Sequence, residues 1–171
     1  MTPLAPIIWR AMTPDDLDAT QDLAAHIHAD YPESHEVFTQ RLAVAPEGCH
    51  VLASPNGIEG YLISHPWQGT LTPTLNTLLP PLPAHPDRWY IHDLALSEAA
   101  RGQGFAQQAI TLAEQAARAR KLARLTLVST RHALRFWYKQ GFEPETIPPA
   151  EHTILASYDP EAQLLSRALS P

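Results

Sequence analysis

A glycine-containing loop between a predicted strand and a long amphipathic helix constrains this chain most. Residues 94–106 read Leu-Ala-Leu-Ser-Glu-Ala-Ala-Arg-Gly-Gln-Gly-Phe-Ala. The apolar run at 89–96 predicts a strand, and the apolar stripe along 105–122 predicts a helix. A further apolar run at 125–129 predicts a second strand, parallel to the first because a helix separates the two. The sequence therefore predicts an α/β fold with a mixed sheet.

The loop itself has the properties of an anion site. Gly102 and Gly104 allow positive φ angles and the close approach of a ligand to the backbone. Amide N–H groups and the macrodipole at a helix N-terminus favour negative charge, and Arg101 adds a cation. Together these features suit a diphosphate. The dinucleotide fingerprint is excluded because Gln107 stands where its third glycine is required, and the Walker motif is excluded because its lysine is absent.

Composition excludes several classes of protein. The 171 residues suit one domain over 1–171, and the net charge of −6 argues against a nucleic-acid binder. The single cysteine, Cys49, allows no internal disulfide and reads as a small buried apolar residue. His26 and His28 are two positions apart on a predicted helix and do not share a face, so we expect no metal site. No apolar run approaches the ~18 residues of a membrane span, and no signal peptide is recognisable. We therefore expect a cytoplasmic protein, either a monomer or a homodimer, with no membrane partner.

The remaining elements follow from hydrophobic periodicity and turn residues. Strands are predicted at 7–10, 49–53, 58–64, 142–147 and 152–158, and helices at 14–27, 33–45 and 132–140. With the segments above they give a sheet of six to seven strands and about four helices. The core spans about 7–158, and residues 159–171 form a C-terminal tail.

A proline-rich segment at 66–88 interrupts this order. It contains six prolines, five leucines and a tryptophan, so it is not a flexible Gly/Ser linker. We interpret it as one long loop that packs on the domain. It is either a surface excursion or a loop that covers a substrate.

Two motifs identify the chain as similar to the GNAT superfamily of acetyl-CoA-dependent N-acetyltransferases. Arg-Gly-Gln-Gly-Phe-Ala at 101–106 resembles the family's Q/R-x-x-G-x-G/A pyrophosphate loop. Ala-Leu-Arg-Phe-Trp-Tyr-Lys-Gln-Gly-Phe at 133–142 resembles its A-x-x-F-Y-x-K-x-G-F signature. The resemblance is clear over 89–145 and extends loosely over 7–158.

The resemblance implies a GNAT fold in which two parallel strands, here 89–96 and 124–129, splay apart to admit acetyl-CoA as co-substrate. The pantetheine arm would pair with the backbone of the first strand, and amides of the glycine loop would hold the pyrophosphate. The acetyl carbonyl would point at a strand amide. Thr130 stands where the family has an asparagine that contacts CoA. The implied CoA-binding set is Leu94, Ala95, Leu96, Arg101, Gly102, Gln103, Gly104, Phe105, Ala106, Gln107 and Thr130.

His92 is the candidate general base. It lies two residues before Leu94, and the ordinary pKa of histidine suits proton removal from an amine at neutral pH. The surrounding sequence is similar to the arylalkylamine branch, which has a catalytic histidine here and a second one at the position of Tyr90. Asp93 should face the other side of a regular strand and pair with a helix or loop. A β-bulge would instead turn it towards a cationic amine.

The general acid that protonates the CoA thiolate is less well marked. The family's tyrosine position, four residues before the glycine of Gly-Phe, is Trp137 here, and Tyr138 follows it. One residue rotates a side chain by about 100° around a helix. Tyr138 is therefore the candidate acid only if the helix is shifted, and another residue or solvent is the alternative.

These observations favour an N-acetyltransferase acting on the primary amine of a small molecule, of the arylalkylamine or polyamine class, by direct attack in a ternary complex. A protein N-terminal acetyltransferase is the first alternative, although the proline-rich loop would crowd an extended peptide. A non-catalytic acyl-CoA-binding module is the second, because tyrosine is missing at position 137.

Overall fold

The computed structural model describes residues 5–170, and within them seven strands form one sheet. The strands are β1 Ile8–Ala11, β2 Cys49–Ser54, β3 Gly57–Trp67, β4 Arg88–Leu96, β5 Arg124–Ser129, β6 Glu143–Pro144 and β7 Gln163–Ala168. The helices are α1 Leu17–Ile27, α2 His35–Val44, α3 Phe105–Ala119, α4 Leu134–Lys139 and α5 His152–Tyr158. No helix in this part of the chain is long and apolar enough to cross a bilayer.

The sheet order is β1-β2-β3-β4-β5-β7-β6. Strands β1 to β4 pair antiparallel in sequence, β4 and β5 pair parallel, and β7 pairs antiparallel with β5 and β6. The predicted mixed α/β sheet with one parallel pair is confirmed. The parallel pair arises where α3 returns the chain to the same end of the sheet, as the helical stripe along 105–122 indicated.

Two buried clusters lie against the sheet. Leu62 packs with Ile110 of α3 and Trp137 of α4, whereas its neighbour Tyr61 packs with Phe38 of α2. Successive residues of a strand point to opposite faces, so the two clusters cover the two faces of the sheet. The sheet is therefore sandwiched between helix pairs, and the ends of its central strands are the natural place for a site.

The C-terminal region departs from the sequence expectation in three ways. The predicted strand at 152–158 is wrong, because Pro149 begins a 3₁₀ turn that runs into α5. The predicted strand at 142–147 is reduced to Glu143–Pro144, since Pro144 has no N–H for a longer ladder. The expected tail at 159–171 is also wrong, because β7 lies between β5 and β6; Pro171 itself lies outside the described residues.

The two ends of the proline-rich segment belong to β3 and β4, and residues 68–87 between them form a loop without helix or strand. Its middle is held by α2. The Gln40 side chain accepts from the backbone N–H of Leu79 at 2.6 Å and donates to its carbonyl at 2.8 Å. Leu79 is buried at this contact. The expectation that this loop packs on the domain is confirmed.

We expect Leu165→Ala to lower the free energy of unfolding by about 2–5 kcal/mol, the usual cost of emptying a core leucine site. Leu165 is fully buried in the middle of β7. Leu78→Ala, the same change at a loop residue that is 55% exposed, should stay within about 0.5 kcal/mol. Urea unfolding measures both values. Equal effects of the two substitutions would mean that the C-terminal segment is not a core strand.

Candidate active site

A cleft opens where the parallel strands separate. Strands β4 and β5 are paired only from Trp89–Leu125 to Ile91–Leu127, and the continuation of β4 has β3 as its single strand neighbour among the described residues. The cleft encloses about 140 Å³. Its lining comes from β4, β5, α4, α5, the α1–α2 connection and the proline-rich loop: Ile91, His92, Asp93, Leu94, Leu127, Val128, Ser129, Thr130, Ala133, Trp137, Tyr158, His28, Tyr31, Glu33 and Leu75.

The glycine loop has the conformation that its sequence indicates. Gly102 and Gly104 have φ angles of +73° and +84°, and Gly104 is the N-cap of α3 with no side-chain cap hydrogen bond. The first amides of a helix have no intrahelical acceptor, so this N-terminus offers N–H donors to an anion. Trp9 of β1 donates to the carbonyl of Phe105 at 3.0 Å and holds the start of α3 against the sheet. The residues present therefore fit a bound diphosphate.

The other residues of the expected CoA set divide between the two parts of the site. Leu94 and Thr130 line the cleft, and Ala95 lies in the buried cluster beneath it. The residues of the loop that are exposed are Arg101, Gly102, Gln103, Gly104 and Gln107, and those that are half-buried are Phe105 and Ala106. Arg101 donates from Nε to the carbonyl of Leu96 at 3.3 Å, which draws its side chain back along the strand end. Apart from Thr130, these residues thus run along the end of β4 and through the loop to the start of α3.

A β-bulge brings two adjacent polar residues of β4 to the cleft. Ile63 is paired with Asp93 and Ser64 with Ile91, which leaves His92 as the extra residue. In a regular strand His92 and Asp93 would face opposite sides. The bulge lets both line the cleft, so the expectation that Asp93 faces away from it is wrong.

His92 forms a buried pair with Glu33 from the α1–α2 connection. Its Nε2 lies 2.7 Å from Glu33 Oε1, and the two side chains are only 1% and 6% exposed. Burial raises the pKa of Glu33, but its interactions with His92, the backbone N–H of Asn76 and the Arg41 guanidinium outweigh it and lower that pKa to about 2. Glu33 is therefore an ionised acceptor at neutral pH, and His92 Nε2 carries the hydrogen between them.

Asp93 is held by two other groups. Its Oδ2 accepts from the Tyr61 hydroxyl at 2.5 Å, and its Oδ1 lies 3.0 Å from Nε2 of His28, at the end of α1. Burial and the Asp93 charge raise the pKa of Tyr61 well above its ordinary value, so Tyr61 stays a neutral donor. Burial lowers the pKa of His28, but Asp93 outweighs it and raises that pKa overall. The expected partnership of Asp93 with a helix is present.

The candidate acid Tyr138 lies outside the cleft. It is 43% exposed, and its hydroxyl donates to Gln163 at 3.0 Å. The buried Trp137 lines the cleft instead, one residue earlier on α4. The helix is thus not shifted by a residue, and the assignment of Tyr138 as the proton donor is wrong on geometry.

Two further residues bear on the chemistry. Cys49 is fully buried, and burial raises the pKa of its thiol to about 12, which removes it as a nucleophile. Tyr158 of α5 lines the cleft, donates its hydroxyl to the Pro73 carbonyl, and has its pKa raised to about 12 by burial. Glu33 and Tyr158 were missed by sequence reasoning, since neither lies in a motif. Among the described residues no cluster of His, Cys, Asp and Glu is placed to hold a metal ion.

Behind the pair of His92 and Glu33 lie two more buried rings. His65 of β3 stands opposite Tyr90 of β4, with ring centroids 5.4 Å apart, and Tyr90 lies 6.4 Å from His92. His65 Nδ1 is 2.9 Å from the Pro66 carbonyl. Burial lowers the pKa of His65 to about 3, so its imidazole is neutral in the folded protein at ordinary pH.

Comparison with known protein families identifies one match. The model of the acetyltransferase (GNAT) family matches residues 8–142, which include both motifs and all but the last part of the sheet. A search of curated protein sequences finds no match.

Solved structures share the fold at low sequence identity. Ard1 from Thermoplasma volcanium is 16% identical with a TM-score of 0.72, covering 96% of this chain and 98% of its own. N-acetylglutamate synthase from Neisseria gonorrhoeae, complexed with coenzyme A and N-acetyl-glutamate, is 17% identical with a TM-score of 0.74, covering 98% of this chain and 36% of its own. The GphF GNAT-like decarboxylase, in complex with isobutyryl-CoA, is 18% identical with a TM-score of 0.75, covering 95% and 100%.

The buried His65 makes a prediction about acid stability. Its folded pKa of about 3 lies below its ordinary 6.5, so the unfolded chain binds a proton that the folded chain refuses as pH falls from about 6.5 towards 3. From pH 7 to pH 5 this linkage removes up to about 2 kcal/mol of stability. His65→Phe should reduce the pH 7 to pH 5 difference in urea unfolding, whereas His85→Gln, at an exposed loop residue, should leave it unchanged. An unaltered difference in His65→Phe would show that His65 is protonated in the folded state.

Proposed function

The chain belongs to the acetyltransferase (GNAT) family, and from that membership we propose that it transfers the acetyl group of acetyl-CoA to the primary amine of a small molecule, of the arylalkylamine or polyamine class. The observation that carries the choice of acceptor is the charge of the cleft. Glu33 and Asp93 line it, and no Lys or Arg among the described residues does. Two carboxylates, in a lining that holds no Lys or Arg among the described residues, favour an ammonium group over an acceptor that bears its own carboxylate; the buried Arg41 acts on Glu33 from outside that lining.

The donor side follows from the loop and the strand edge. Acetyl-CoA supplies an acetyl thioester, whose acetyl group passes to the amine nitrogen as the carbon–sulfur bond breaks. The amides at the start of α3 would hold the pyrophosphate, and the unpaired edge of β4 at Leu94–Leu96 would hold the pantetheine arm by strand-like pairing. The neighbours crystallised with coenzyme A or isobutyryl-CoA support an acyl-CoA at this place.

The acceptor side supplies the base. An amine arrives as an ammonium ion and must lose a proton before its nitrogen attacks the acetyl carbon. His92 Nε2 is committed to Glu33 and Nδ1 has no hydrogen-bond partner among the described residues, so Nδ1 is the nitrogen left to take this proton. With Tyr138 pointing away and an indole N–H unable to give up its proton readily, solvent protonates the departing thiolate.

Two alternatives compete with this proposal. A protein N-terminal acetyltransferase would need room for a peptide beside the acceptor amine. Leu75 lines the cleft there and Pro73 accepts from Tyr158, so the proline-rich loop occupies the side where a peptide would extend. A non-catalytic acyl-CoA-binding module would bind the donor without turnover, and the tryptophan at position 137 is the feature that would suit it.

Acetylation of an acceptor panel separates these possibilities. The purified protein with acetyl-CoA would be offered arylalkylamines, polyamines, amino acids and peptides with free N-termini, and products would be identified by mass spectrometry together with thiol release. We expect acetylated small amines and no acetylated peptide. Peptide acetylation alone would favour the first alternative, and acetyl-CoA binding without any product would favour the second.

We expect Gly104→Val to raise the acetyl-CoA dissociation constant about tenfold or more, equivalent to about 1.4 kcal/mol. The φ angle of +84° at this N-cap is strained for a β-branched residue, so the amides of the loop would turn away from the pyrophosphate. Gly69→Val makes the same change at φ +73° in the proline-rich loop, where a Cβ also meets nothing within 4 Å. This control should leave affinity unchanged. Equal affinity of all three proteins in calorimetry would remove the glycine loop from the donor site.

We expect His92→Gln to lower the acetylation rate by about 10²–10⁴-fold at pH 7, the usual contribution of a general base, with little change in acetyl-CoA affinity. The deficit should shrink at high pH, because more of the amine then arrives deprotonated. Tyr138→Phe should be silent, since the hydroxyl it removes contacts only Gln163 outside the cleft. A His92→Gln enzyme with the wild-type rate would contradict the assignment of His92 as the base. A slow Tyr138→Phe enzyme would restore Tyr138 as the proton donor.

A further inference from the structure

Glu33 is bound on both carboxylate oxygens by different parts of the chain. Its Oε1 lies 2.7 Å from Nε2 of His92, and its Oε2 accepts the backbone N–H of Asn76 at 3.0 Å. A carboxylate that is only 6% exposed needs such partners, because an ionised group taken out of water without them is strongly destabilised. Glu33 thus joins the histidine of β4 to the proline-rich loop.

The loop is shaped to make this contact. Asn76 has a φ of +55°, a left-handed conformation that asparagine tolerates better than other side chains. This turn sends its N–H towards Glu33, while its side-chain Oδ1 accepts the backbone N–H of Ser34 at 2.7 Å. Asn76 therefore fixes both Glu33 and the residue that follows it.

Two side chains of α2 hold the same stretch of loop by hydrogen bonds. Arg41, only 1% exposed, donates from Nη1 and Nη2 to the carbonyl of Thr77 at 3.2 Å. Gln40 bonds both backbone groups of Leu79, as described above. The residues immediately after Asn76 are thus held at two successive points, so the N–H at Asn76 is presented by a fixed backbone.

We propose that Glu33 is the positioning residue of His92, and that the proline-rich loop sets this pair through the N–H of Asn76. By accepting from Nε2, Glu33 holds the neutral imidazole in the tautomer whose lone pair is on Nδ1, and it fixes the plane of the ring. The assignment of Nδ1 as the base rests on the proposed function. The tautomer and its dependence on the loop do not.

The pairing also gives the loop a role in the choice of acceptor. Leu75, on the same loop, lines the cleft. A change in the loop that accommodates a different acceptor would therefore also disturb the base, because Asn76 follows Leu75 directly. Acceptor fit and base alignment are coupled through one segment.

Long-range ¹H–¹⁵N spectra of the histidine rings, recorded at pH 9 and assigned with His92→Gln, report the tautomer without any substrate. We expect the His92 hydrogen on Nε2 in the wild-type protein, whose Glu33 carboxylate accepts from both His92 and Asn76. Glu33→Leu should give a mixture of tautomers. Glu36→Leu, which removes a carboxylate from an exposed position of α2, should match the wild type. A hydrogen on Nδ1 in the wild-type protein, or an unchanged tautomer in Glu33→Leu, would overturn the proposal.

Rates on an acceptor found in the panel give the second readout. Glu33→Leu should lower kcat by about 10²-fold or more while Glu36→Leu keeps the wild-type rate, because general-base catalysis depends on the aligned nitrogen. If no acceptor is found, the spectra still decide the positioning role, so failure of the proposed function remains distinct from failure of this inference. A Glu33→Leu enzyme at the wild-type rate would overturn the positioning role.

Two changes at Asn76 test the loop. Asn76→Gly keeps the N–H and reaches positive φ freely, and it should retain the wild-type tautomer. Asn76→Pro removes the N–H and fixes φ near −65°, and it should shift His92 towards the mixture seen in Glu33→Leu. Gln40→Ala, which releases the loop at Leu79 without changing Asn76, should shift it less in the same direction. A wild-type tautomer in both Asn76→Pro and Gln40→Ala would separate the loop from His92.

Discussion

Three residue pairs join β4 to β5, from Trp89–Leu125 to Ile91–Leu127, and the strands then part. The cleft and the free edge of β4 both depend on this separation of the two strands. A central strand that loses its neighbour keeps backbone donors and acceptors that must find another partner, because unpaired buried N–H and C=O groups are costly. The gap leads directly to the glycine loop at the end of β4, so one strand supplies both an edge for an extended ligand and a cradle for its phosphates.

The bulge at His92 adds the second requirement. It turns both His92 and Asp93 to the cleft, where burial would penalise an unpaired charge. Four groups from different parts of the chain hydrogen-bond the nearby carboxylates. Asn76 and His92 bind Glu33, and Tyr61 and His28 bind Asp93. Glu33 is thus held ionised before any acceptor arrives, and Asp93 already has its two partners. A cationic amine meets a site whose polar groups are already arranged, which lowers the reorganisation needed at reaction.

Local patterns predicted the part of the molecule that local forces determine. The apolar stripe of α3, the positive φ at Gly102 and Gly104, and the place of His92 in the cleft all follow from short stretches of sequence. Glu33 does not, because it reaches His92 across 59 positions and belongs to no motif.

The β7 strand was missed for a related reason. Leu164 and Leu165 are both buried on opposite faces of the sheet, so their sequence lacks the alternation that marks a half-exposed strand. The assignment of Tyr138 as the proton donor was wrong because a step of one residue along a helix changes which side chain faces the cleft.

A crystal structure of the protein with acetyl-CoA tests the central claim most directly. We expect the pantetheine arm to lie between β4 and β5 and to hydrogen-bond the backbone of Leu94–Leu96, with the pyrophosphate on the amides from Gly102 to Gln107. The thioester end should lie at the same cleft as His92 and Glu33. A pyrophosphate bound away from the N-terminus of α3, or a pantetheine arm outside the gap between the two strands, would contradict it.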